Sequence, residues 1–168
     1  MQSNALNSTE SYHVRTAVRV LGALLIVFVG ADHYWAYSVD QYSVLPTIGT
    51  LFLLNFISAT VVGVALLAPL ERIFHRSGRI ILEMATVSGF GIAATSLVAL
   101  LVSEQTRLFG FMESNYRPAI IVAIASEAAA AASLALLLVL TVKATKGSVS
   151  KQNRPTAVER PRPGIGTT

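Results

Sequence analysis

Four long apolar runs, at residues 17–37, 48–68, 80–103 and 119–142, alternate with short polar stretches along the chain. A bilayer core about 30 Å thick needs roughly 20 helical residues to cross it, and each run is that long. None shows the polar positions at helical spacing that a surface helix of a soluble α-domain carries. The pattern predicts an all-α integral membrane protein with four transmembrane helices in an antiparallel bundle. Residues 17–143 form the membrane domain, flanked by a polar, mobile tail at 1–16 and a disordered basic tail at 144–168.

Between the runs, the polar stretches differ in charge. The first loop, Ser38–Leu45, holds Asp40 and no Lys or Arg. The second, Pro69–Arg79, holds Arg72, Arg76 and Arg79 with His75 and Glu71. In the third, Glu104–Pro118, Arg107 and Arg117 are balanced by Glu104 and Glu113. Short loops rich in Lys and Arg stay cytoplasmic. The second loop and both tails therefore belong inside, the first and third loops outside, and 11 of the 13 Lys and Arg residues fall on the cytoplasmic side. The expected location is the plasma membrane, with both termini cytoplasmic.

Arg15 and Arg19 before the first run, and Val29-Gly30-Ala31 within it, have features of a cleavable signal peptide. The run continues through Tyr34, Trp35 and Tyr37, which favours a retained helix. Composition agrees with the membrane reading: 53% of residues are hydrophobic and 13% charged, and mean hydropathy is +0.59. The pI of about 9.8 reflects topology and attraction to anionic lipid rather than nucleic-acid binding. With no cysteine in the chain, thiolate chemistry and disulfide exchange are excluded.

In the fourth run, Ala125, Ala129 and Ser133 recur every four residues, as do Ala128 and Ala132. Small residues at that spacing let helices approach closely in lipid. Ser88, Gly89, Gly91 and Ser96 give the third run a matching smooth surface. Packing within one bundle is the expected use, and association with a membrane-protein partner or a second copy can coexist with it.

Polar residues at membrane depth are costly and usually face the bundle interior or a watery cavity. Five stand out. Glu83 follows Arg79 by one turn near the cytoplasmic end, where an exposed i,i+4 pair satisfies it. The other four converge on the outer half. At 1.5 Å per residue, Asp32 and His33 lie ~6–8 Å below the outer end of the first helix, Asn55 ~12 Å down the second and Glu127 ~13 Å down the fourth. A carboxylate with an imidazole can bind a cation or relay a proton. The alternative is structural: Asp32 and His33 interfacial, and Glu127 held by Asn55 or His33 as a link between helices.

No H-E-x-x-H, phosphate-binding glycine loop or nucleophile elbow occurs. The three His residues include two, His13 and His75, assigned to the cytoplasmic side, so one chain cannot offer two outer imidazoles to a haem. No cofactor or metal is expected.

Gly30-Ala31-Asp32-His33, then Pro46-Thr47-Ile48-Gly49-Thr50-Leu51-Phe52-Leu53-Leu54-Asn55 and the intramembrane Glu127, resemble a group of small four-span membrane proteins of actinobacterial type. The resemblance covers the four helices and not the tails. It implies fold and compartment and supplies no activity. Three functions stand as expectations from the residues: first a non-enzymatic accessory or assembly component of a larger envelope complex; second a protein that binds or transports a proton, a cation or a small lipophilic ligand at Glu127, Asn55, His33 and Asp32; and third an enzyme acting on lipid by carboxylate–imidazole acid–base chemistry, which nothing in the spacing selects.

Overall fold

The structure, a computed structural model, describes residues 2–107 and 118–152. Five helices are present among them: α1 (Gln2–Ser38), α2 (Pro46–Leu67), α3 (Leu70–Ile73), α4 (His75–Ser103) and α5 (Pro118–Gln152). Four of these are long and apolar enough to cross a membrane, over Tyr12–Ser38, Pro46–Leu67, Ser77–Ser103 and Pro118–Ala144.

Element boundaries follow from local chemistry. Gln2–Thr16 contains neither Gly nor Pro, so nothing interrupts the helix there, and α1 includes the stretch expected to be a mobile tail. Pro46 opens α2 at a position where its missing N–H costs nothing and its fixed φ suits the helix. The expected second loop is largely helical: α3 occupies four of its residues, and α4 begins at His75 rather than Ile80. The reversal between them brings Gly78 against the Leu70 carbonyl, where any Cβ would meet backbone. At the other end of the chain α5 continues through Gln152, so residues 144–152 extend the fourth span. Residues 153–168, the remainder of the tail expected to be disordered, lie outside the described residues, as do residues 108–117 of the third loop.

α1 packs on α2 and on α5, and α4 packs on α5 and on α2, giving a closed ring of four long helices. The α1–α2 contact is the most extensive of the four and α2–α4 the sparsest. Small residues make the close contacts. Gly63 faces Val27, and Gly22 and Gly89 both abut Leu134. Ile26, Leu66 and Leu134 fill the space between them and are fully buried. Arg19 caps the end of α2, donating from Nε to the Leu66 carbonyl and from Nη2 to the Ala68 carbonyl, both at 2.6 Å. Carbonyls of the last turn lack partners within the helix, and a guanidinium is well suited to satisfy them.

The small-residue stripe of the fourth run is placed differently from expectation. Glu127, Ala130, Leu134 and Leu137 form the buried face of α5. At about 100° per residue, Ala125 and Ala129 point roughly 160–200° away from Glu127. Ala125, Ala128, Ala129 and Ala132 are accordingly exposed on the outside of the bundle. Burying a carboxylic acid and two leucines outweighs smoothness in setting the rotation of α5.

Candidate functional site

Apolar packing fills the half of the bundle nearer Arg19. The other half, where the end of α1, the start of α2, the end of α4 and the start of α5 meet, is hollow. It holds a cavity of about 820 Å³ whose wall includes Asp32, His33, Asn55, Ser96 and Glu127. All four residues singled out from the sequence thus border one space. Leu51, Leu54, Val98 and Val102 of α2 and α4 line it too and are exposed. These exposed apolar residues belong to the two helices whose mutual contact is the sparsest of the four.

At its polar wall stands a hydrogen-bonded chain across three helices. The Ser96 hydroxyl lies 2.6 Å from Glu127 Oε1 and 2.9 Å from His33 Nε2. Direct separation of His33 Nε2 and Glu127 Oε1 is 3.6 Å, so Ser96 bridges them. On the far side of the ring, His33 Nδ1 lies 2.9 Å from the Val29 carbonyl one turn earlier in α1. The ring meets Phe52 edge-on at 5.2 Å between centroids, and Phe52 in turn meets Tyr42 at 5.1 Å. Glu127 is 1% exposed and His33 8%.

Donor and acceptor counting restricts the protons in this chain. A carbonyl only accepts, so Nδ1 carries a hydrogen. Ser96 has one hydrogen and two neighbours that both need it if Glu127 is ionised and His33 neutral. Two neutral arrangements satisfy every contact; protonating Nε2 and Glu127 Oε2 together would satisfy them too, but only by burying a net positive charge. In one, Glu127 is protonated and donates to Ser96, which donates to Nε2. In the other, Nε2 is protonated and donates to Ser96, which donates to the Glu127 carboxylate. Both contain one proton shared across the pair, and they interconvert by its transfer through Ser96. The unit is neutral in either form. In both, Glu127 Oε2 is left as a buried acceptor without a partner.

Asn55 shares the cavity, yet Glu127 Oε1 is held by Ser96 and Oε2 has no partner, so Asn55 is not what holds Glu127; its own amide oxygen is likewise buried without a partner. Asp32 lies on the wall beside His33 and is partly exposed. Glu83 forms the exposed i,i+4 pair with Arg79, at 3.0 Å. The sequence places Ser96 on the smooth packing surface of the third run, not among the candidate site residues. A hydroxyl between Thr95 and Leu97 in an apolar helix is indistinguishable from a packing position, and its signal is the polar partners that α1 and α5 bring to it.

Among the described residues no group of three or more His, Asp or Glu is arranged to hold a metal ion. No protein-family model matches the chain, and neither a curated protein nor a solved structure matches it.

Proposed function

We propose that the protein is a four-span plasma-membrane protein, antiparallel and with both termini cytoplasmic, that binds a small lipophilic molecule in a cavity in the outer half of the bilayer. The observation that carries this reading is the cavity of about 820 Å³, with exposed apolar residues of α2 and α4 and the His33–Ser96–Glu127 chain on its wall. Small-molecule sites combine this range of volume, a mainly apolar lining and a few convergent polar groups. Entry between these two apolar helices would admit a molecule from the lipid phase without passing it through water. Buried polar groups that the packing does not require mark functional positions in a bilayer.

Gly91 supplies the test. It lines the cavity, and a Cβ built there meets nothing within 4 Å. Gly91→Phe should fill the space with little effect on the fold. Protein purified from its native membrane should carry a lipophile that organic extraction and mass spectrometry detect. The Gly91→Phe protein should lose it while keeping its melting temperature. Equal lipophile content in both proteins would remove the cavity from consideration.

A second reading, an accessory component of a larger envelope complex, is favoured by the exposed Ala125, Ala128, Ala129 and Ala132 face of α5. Smooth surfaces of this kind allow close helix association in lipid. Blue-native electrophoresis after gentle extraction should then show a particle larger than one chain, and a strictly monomeric particle rules this reading out.

A further inference from the structure

We infer that the cavity selects a lipophile with a cationic, hydrogen-bond-donating head, a lipophilic ammonium. The inference rests on the cavity-binding reading and adds the chemistry of the ligand. The wall carries three carboxyl groups, Asp32, Asp40 and Glu127, against one imidazole, and no Lys or Arg among the described residues. Because His33 and Glu127 share one proton, that pair is neutral whichever residue holds it. Asp32 and Asp40 then set the sign of the cavity, which is negative.

Hydrogen bonding points the same way. Glu127 Oε2 and Asn55 Oδ1 are buried acceptors without partners. A buried acceptor left unmade is costly, of order 1–3 kcal/mol, and a ligand bringing donors recovers that cost. An anionic or acceptor-only head would leave both oxygens unpaired and add repulsion from Asp32. Tyr42, Phe52 and Trp35 border the same space, and aromatic faces attract cations. An inorganic cation would use the oxygens but leave the apolar remainder of the cavity unoccupied, so an organic ammonium fits more of the site.

Trp35 is the only tryptophan in the chain and lines the cavity, so its fluorescence reports occupancy. Nitroxide-bearing alkyl probes that differ only in the head, a primary ammonium, an alcohol or a carboxylate, would be added to protein in phosphatidylcholine vesicles and compared at equal membrane-bound concentration. Quenching that disappears in Gly91→Phe measures binding in the cavity and separates it from partition into lipid. The ammonium probe should half-saturate at a concentration about tenfold below the alcohol, as a charge-assisted bond implies. The carboxylate should show no Gly91→Phe-sensitive quenching. Asp32→Asn, and independently Asp40→Asn, should bring the ammonium towards the alcohol. Equal affinity for ammonium and alcohol, a preference for the carboxylate, or a preference untouched by both variants would overturn the head-group inference and leave the cavity standing. No Gly91→Phe-sensitive quenching by any probe would overturn the cavity reading itself.

Discussion

At the scale of single residues, the decisive contact belongs to Ser96, which ties α1 to α5 from its place on α4. Ser96→Ala would leave His33 Nε2 and Glu127 Oε1 3.6 Å apart, too far for a hydrogen bond. The expected loss is roughly 1–2 kcal/mol, because intramembrane hydrogen bonds contribute modestly while a stranded buried carboxyl adds its own cost. Thermal unfolding in detergent measures it, with exposed Ser88→Ala on the same helix as a control expected to show little change. A double-mutant cycle of Ser96→Ala with Glu127→Leu should be non-additive. If the two losses simply add, the Ser96–Glu127 bond contributes nothing and the chain is a coincidence of packing. Sequence reasoning reached His33 and Glu127 because charge at membrane depth is conspicuous. Ser96 reads from the sequence as a packing position, because a serine in an apolar helix shows its polar role only once its neighbours are known.

At the scale of elements, the four spans were legible and their rotations were not. Long apolar runs need no tertiary information to be read as helices, and each run lies within one of the four long helices or overruns it by a residue. Which face of each helix points inward depends on competition among all its residues, and α5 shows how that is decided. Its alanine stripe had the spacing of a packing face, yet Glu127, Leu134 and Leu137 occupy the interior. The extensions of α1 back to Gln2 and of α5 through Gln152 were missed for a related reason. Polar composition was read as loss of structure, whereas a stretch without proline can continue a helix that an apolar segment has already nucleated. Pairing of α1 with α2 was foreshadowed only weakly: Gly30 and Gly63 sit at helix crossings, against Ala59 and Val27, and a lone glycine in an apolar run does not name its partner.

At the scale of the whole molecule, the hollow half and the solid half are set apart along the bundle, and the side on which the cavity lies depends on orientation. Arg19, Arg72 and Arg79 stand toward the solid half, near the end of α2 and the start of α4. Lys and Arg near the membrane hold loops in the cytoplasm, so the hollow half should face outward and draw its ligand from the outer leaflet. The chain has no cysteine, which makes single-cysteine labelling clean. Ser43 and Ser77 are both exposed, one beside the cavity and one at the opposite end. In intact cells Ser43→Cys should react with a membrane-impermeant maleimide, and Ser77→Cys should react only after permeabilisation. The reverse pattern would keep the cavity but turn it to the cytoplasm, where Asp32, Asp40 and Glu127 would meet molecules of the inner leaflet instead. Labelling of both sites in intact cells would contradict a single fixed orientation and with it the assignment of the cavity to either leaflet.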